Sequence, residues 1–163
     1  TPLATADASR AFGTLQYVPT TAASDFAASN PSDVLIDLMY KLSSPYRIGA
    51  AWQMNSATLA RVSKFKDGQG NYLWQKSIAE GRPETILGYP VYPNENMPDI
   101  ASNAFPIAFG NWKRGYLIAD LVDTRITRDE VTTPGYVKFY VRRRVGGKLL
   151  DSNAIKLLKI SIS

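Results

Sequence analysis

The side chains that could do covalent chemistry are few. Among 163 residues there is no cysteine and no histidine. Thiol nucleophiles, disulfides, zinc sites built on Cys or His, and imidazole acid–base schemes are therefore excluded. Carboxylates remain. Asp99, Asp120 and Asp123 would have to supply an acid–base pair or a metal cage, and nothing in their spacing fixes one. No catalytic residue, cofactor site or metal site is expected, and the chain reads as a non-enzyme.

The sharpest feature is charge. Arg142-Arg143-Arg144, with Lys138 and Lys148, falls in the run Y-V-K-F-Y-V-R-R-R-V-G-G-K at residues 136–148. Guanidinium groups suit carboxylates and phosphates alike. Three readings are open: contact with acidic residues of another subunit, contact with nucleic-acid phosphates, or a solvated strand face. On a strand the three arginines divide between two faces. They cannot all serve one flat phosphate track, which favours protein–protein pairing. Asp123, Asp129 and Glu130 on the preceding strand are candidate acidic partners, within or between subunits. Lys138, Arg142, Arg143, Arg144, Asp123, Asp129 and Glu130 together make the candidate subunit interface. Trp52, Trp74 and Trp112 could stack on bases, but each sits among apolar strand residues, the pattern of a core aromatic.

Hydrophobic content of 45% and charged content of 20% are those of a globular domain. The length suffices for one domain with a core. The net charge of +5 admits an anionic partner or a merely solvated basic surface. No apolar run approaches the roughly 20 residues that span a bilayer, so no membrane role is expected. The start T-P-L-A-T-A-D has neither a basic nor an apolar signal region. It also lacks an initiating Met, and the chain is expected to be a piece of something longer.

Several elements must position these residues. Residues 1–30, rich in Ala, Thr and Ser, read as a linker or a lead-in strand rather than a core element. Asn30-Pro31-Ser32-Asp33 predicts a helix start with Asn30 as cap, and Leu35, Leu38, Met39 and Leu42 give it one apolar stripe. Ser43-Ser44-Pro45 ends it. Residues 50–54 read as a strand. Asn55 caps a second helix carrying Leu59 and Val62, stopped by Asp67-Gly68-Gln69-Gly70. Tyr72-Leu73-Trp74 is extended, and residues 75–85 form a loop. Residues 86–92 are extended, with Pro90 marking an edge or a strand start. Residues 93–103 are a second loop. Residues 105–109 and 112–119 read as a hairpin around Gly110-Asn111. Then the texture changes. Residues 122–131 and 136–145 are long amphipathic strands, Gly146-Gly147 breaks the second, and residues 154–160 form the last. The class is α+β.

Five blocks carry a resemblance. They are N-S-A-T-L-A-R-V-S-K-F-K-D-G-Q-G-N-Y-L at 55–73, L-G-Y-P-V at 87–91, A-F-G-N-W-K-R-G-Y-L-I-A-D at 108–120, F-Y-V-R-R-R-V-G-G at 139–147 and N-A-I-K-L-L-K at 153–159. In this order they resemble the C-terminal portion of tailed-bacteriophage major capsid proteins of the Hong Kong 97 type. The resemblance implies an axial (A) domain from residues 31–121 and 150–163, and peripheral (P) domain strands from residues 122–149. It places the family's N-terminal arm, E-loop and spine helix upstream of Thr1. The implied role is a structural subunit of an icosahedral phage or prophage head. Such a subunit assembles with other copies of itself into pentamers and hexamers around double-stranded DNA. Scaffolding or decoration proteins are implied partners, and packaged DNA would be met by non-specific contact. The implied location is the virion, with the host cytoplasm during assembly. An encapsulin-type nanocompartment shell and a basic nucleic-acid-binding module are the alternatives. Some members of the family cross-link their shells between an E-loop Lys and a P-domain Asn, aided by a Glu. The resemblance puts Phe139 at the Asn position and Gly146 near the Glu, and no Asn lies between Asn111 and Asn153. That cross-link is not expected here.

Overall fold

The computed structural model describes residues 2–4, 11–27, 30–66, 69–72 and 84–162, with only the backbone of Val122 and Asp123. Trp74, most of the expected loop at 75–85 and half of the turn at 67–70 lie outside the described residues.

One sheet organises the core. Its strands are β1 (Gln16–Pro19), β2 (Ala51–Met54), β3 (Thr85–Ile86), β4 (Tyr89–Pro93), β5 (Ile107–Gly110) and β8 (Ile155–Lys159), in the order β1-β8-β5-β2-β4-β3. β1 runs parallel to β8 and β2 parallel to β4, while β8–β5, β5–β2 and β4–β3 are antiparallel. Every residue of β5 is buried, as suits a strand with a neighbour on each side. Trp52 lies opposite Phe109 in register, with ring centroids 4.2 Å apart. The Trp52 indole N–H donates to the Ile86 carbonyl at 3.0 Å, so this large side chain is buried without an unpaired donor. Trp52 is core, as its sequence context suggests.

Helix α1 (Asp33–Lys41) buries Leu35 and Leu38 against the sheet, with Leu42 just beyond its end, the stripe expected from the spacing. Its start differs from the expectation. Asn30 has φ +48°, and its carbonyl accepts from the Asp33 N–H at 3.1 Å. A turn therefore precedes the helix, with Asn tolerating the left-handed conformation, and Ser32 takes the cap position. A single turn, α2 (Ser44–Arg47), follows with Pro45 in its first turn. Asn55 does cap α3 (Ser56–Ser63), accepting from the Thr58 N–H at 2.8 Å. Pro90 is the second residue of β4, but β3 is the strand beyond it, so β4 is not the edge.

Three further expectations change. The lead-in does hold a strand, β1, but it is also a core element: β1 alternates inward and outward, and Val18 and Phe26 join the core. The hairpin around Gly110-Asn111 does not form, because β5 already pairs on both sides with β2 and β8. Asn111 instead caps the single turn α4 (Trp112–Gly115), accepting from the Arg114 N–H at 3.2 Å and donating to the Ile48 carbonyl at 2.7 Å. Finally, Gly146-Gly147 does not break its strand. β7 (Lys138–Leu149) runs straight through, paired antiparallel with β6 (Tyr116–Asp129). A Cβ on Gly147 would lie 2.3 Å from the Tyr116 hydroxyl, so the glycine makes room for that ring. β6 and β7 form a two-stranded sheet of their own, starting at Tyr116.

Candidate subunit interface

The β6–β7 ribbon carries nearly all the candidate residues. Its register pairs Leu121 with Arg144 and Arg125 with Arg142, leaving residues 122–124 opposite Arg143 alone. This is a bulge with two extra residues on β6, and because their number is even the faces stay in phase across it. One face presents Leu117, Lys148, Leu121, Arg144, Arg125, Arg142, Tyr140 and Lys138. The other presents Ile118, Val145, Ile126, Val141 and Phe139, together with Asp120 and Arg143. The division of the arginine run between two faces, argued from alternation, holds.

The second face is apolar and uncovered. Ile118 is 69% exposed, Ile126 65%, and Phe139, Val141 and Val145 63% each. A two-stranded ribbon has no layer behind it, so these residues have no core to enter. Exposed apolar surface of this kind makes the face a candidate for packing against another protein. Alternation along the sequence puts Phe139, Val141, Arg143 and Val145 on one face of the second strand, and the structure bears this out. The sequence reading missed the matching residues Ile118 and Ile126 of β6, which alternation along that strand could have found.

The three arginines have different surroundings. Arg143 donates through Nε to Asp120 at 3.2 Å and through a second nitrogen to the other carboxylate oxygen. That contact holds the guanidinium pKa above its ordinary value. Arg142 and Arg144 converge with Arg125 and Leu121 around an open concavity of about 310 Å³. Arg125 was not among the sequence candidates; only the observed register brings it beside Arg142.

Asp129 and Glu130 do not line the concavity. Asp129 accepts from the Val131 N–H at 3.0 Å, the Thr132 N–H at 3.1 Å and the Thr132 hydroxyl. The Thr132 hydroxyl first, then the two backbone N–H groups, hold its carboxyl below the usual range. Glu130 pairs with Arg128. The Asp123 side chain lies outside the described residues. The partner of Arg143 is thus Asp120, a residue first considered for acid–base chemistry. Asp99 accepts from Asn55 in the main body, so these carboxylates serve separate structural contacts. Among the described residues no group of three or more His, Cys, Asp or Glu could hold a metal ion. No helix of the described residues is long and apolar enough to cross a membrane. Trp112 is half-buried, its indole N–H donating to the Ala51 carbonyl at 3.2 Å.

The comparisons with known proteins decide the family. The model of the phage capsid family matches residues 4–160. The chain belongs to the phage capsid family. Among solved structures it is similar to the capsid of an empty GTA particle computed with C5 symmetry, at 48% identity and a TM-score of 0.82. The capsid of the native GTA particle gives 48% identity and a TM-score of 0.83. Both alignments cover 96% of this chain and 53% of the other, so the chain spans about half the length of those capsid proteins. A chain of Gordonia phage Cozz, at 14% identity and a TM-score of 0.56, shares the fold over 98% of this chain. No curated protein matches. The fold described above is therefore capsid-like, and the uncovered ribbon belongs to a capsid-family chain.

Proposed function

We propose that this chain is a portion of the major capsid protein of a tailed phage, a prophage or a related particle, and that its work is structural. The fold is of the Hong Kong 97 type, with the six-stranded sheet and its helices as the axial domain. The β6–β7 ribbon is the long-stranded part of the peripheral domain, taken here from Tyr116, where β6 begins. Copies associate into pentamers and hexamers of a closed shell around double-stranded DNA. The protein resides in the virion after assembly in the host cytoplasm. The single observation that carries this reading is the ribbon itself: two long strands, uncovered on both faces, in a chain of the capsid family. A subunit that stayed alone would expose Ile118, Ile126, Phe139, Val141 and Val145 to water at a standing cost. A subunit in a shell covers them with its neighbours. Lys138, Arg142, Arg143 and Arg144 would flank those contacts on the two faces, with Arg143 held in place by Asp120.

Particle analysis tests this. Expression of the capsid gene should give particles of uniform size by electron microscopy. After nuclease treatment of their exterior, particles formed during infection or induction should release protected double-stranded DNA. Particles that enclose an enzyme and no DNA would replace the phage-head reading with that of a nanocompartment. A subunit that stays monomeric under all conditions would end both.

A further inference from the structure

The β6–β7 ribbon is a sheet of two strands, so each strand has one edge with no neighbouring strand among the described residues. We propose that the free edge of β7 is a strand-addition site: an extended segment of another protein, alternating acidic and apolar residues, pairs with residues 139–147. The contact is made at the ribbon's edge and not on its faces, so it stands apart from the shell reading above.

The two edges differ. β6 is interrupted by its bulge between Leu121 and Arg125, and a bulge blunts an edge against pairing. On β7, every residue from Lys138 to Arg142 and from Arg144 to Leu149 keeps its own partner on β6. Its 12 residues contain no proline. β7 therefore offers the longer uninterrupted edge.

Alternation settles which backbone groups point outward. The Leu150 N–H donates to the Gly115 carbonyl at 2.8 Å, just beyond the Tyr116–Leu149 pair. An antiparallel ladder bonds at every second residue, so Lys148, Gly146, Arg144, Arg142 and Tyr140 turn their backbone groups toward β6. Phe139, Val141, Val145 and Gly147 turn theirs away from it. No described residue meets those outward groups. A row of such groups is a template for a further strand.

The side chains of β7 say what the added strand carries. β7 holds Lys138, Arg142, Arg143, Arg144 and Lys148 and no carboxylate. Like charges directly opposite on paired strands destabilise the pair, so the β7 edges of two copies repel each other. Carboxylates opposite Arg142, Arg144 and Lys148 are attracted instead, and the guanidinium fork takes a carboxylate in a bidentate manner. On the other face Phe139, Val141 and Val145 are exposed, and the alternate residues of the incoming strand that lie beside them are apolar. Main-chain bonds supply the affinity of strand addition, and alternate side chains supply its specificity. The phosphates of a DNA duplex would use the cations alone and leave the outward N–H groups bonded to water.

Amide exchange of the chain, with and without a synthetic peptide, tests the site. The peptide alternates Glu and Val over about nine residues, long enough to run beside residues 139–147. At saturating peptide the amides of Phe139, Val141, Val145 and Gly147 should slow about tenfold or more. Those of Tyr140, Arg142 and Arg144, already bonded to β6, should change less. A peptide alternating Lys and Val should slow none of them. R142E combined with R144E should weaken binding of the Glu–Val peptide about tenfold or more, with unchanged amide protection in the six-stranded sheet showing that the variant is folded. Absence of binding overturns the proposal. Binding without slowing of the outward amides also overturns it, since the peptide then lies on a face. Outward amides that are already slow without peptide overturn it as well, in favour of pairing between copies where the slowing grows with concentration. So does a DNA duplex that slows them as much as the peptide does. None of these results touches the shell reading, which particle analysis tests.

Discussion

At Gly110 the missing side chain is what lets the sheet close. A Cβ there would lie 2.3 Å from the Ala154 carbonyl oxygen and 2.7 Å from the Ile155 Cα, both backbone atoms that cannot move aside. Gly110→Ala should therefore cost about 1–3 kcal/mol or more, as overpacking of a rigid core does, read by denaturant unfolding. A loss below a few tenths would mean that the β5–β8 approach is looser than described. The sequence makes Gly110 look like a hairpin turn, because turn glycines and close-approach glycines are alike in composition and differ only in what passes over them. Leu87 shows the opposite case. It sits at φ +51° beside Gly88 at φ +82° in the two-residue link from β3 to β4. Paired positive φ values favour Asn or Gly at the first position, and a leucine there is strained. Leu87→Asn should raise stability by about 1 kcal/mol in thermal or denaturant unfolding. No gain would show that Leu87 is held by packing rather than tolerated.

At the scale of elements, the ribbon was the most legible part of the chain and the body the least. Two long amphipathic strands with a turn between them announce themselves, since alternation is a local property. What stayed hidden was register. The bulge that sets residues 122–124 against Arg143 brings Arg125 beside Arg142, and nothing local specifies it. Strand order in the six-stranded sheet is equally non-local: β8 reaches between β1 and β5 across most of the chain. The helices were readable where the stripe was clear, as with Leu35, Leu38 and Leu42, but the start of α1 moved because Asn30 adopts a left-handed turn. The far end of the ribbon depends on Asp129, whose carboxylate ties residues 131 and 132. Its folded pKa lies below the ordinary value, chiefly through the Thr132 hydroxyl. The ionised form is thus the bonded form. The stabilisation is complete above the unfolded carboxylate range of about 3.9 and is lost as pH falls through the lowered folded value. The protection of the Val131 and Thr132 amides, relative to the intrinsic exchange rate at each pH, should be unchanged between neutral and mildly acidic pH and should fall only in strong acid. Asp129→Ala should lower it at neutral and mildly acidic pH and change little in strong acid, where the native carboxylate is already protonated. Protection that falls steadily from neutral pH would mean that another group holds the turn.

At the scale of the whole molecule, the chain is a body with a core and a ribbon without one. The body has a buried core of its own; on the proposed reading the exposed apolar residues of the ribbon are covered by other copies. The shell should hold by such contacts and not by an isopeptide bond on the ribbon. Phe139 has no amide to attack, Gly146 has no carboxyl to take a proton, and both lie on β7 among residues that lack any Asn. Mature particles boiled in detergent should release single chains. A covalent ladder, with a link mapped by mass spectrometry to residues 136–146, would contradict this. The central claim is that the ribbon is where subunits meet, and a cryo-electron-microscopy reconstruction of assembled particles tests it most directly. The account predicts closed shells in which density from adjacent subunits covers Ile118, Ile126, Val141 and Val145. Shells in which the ribbon stands in solvent on both faces would contradict it.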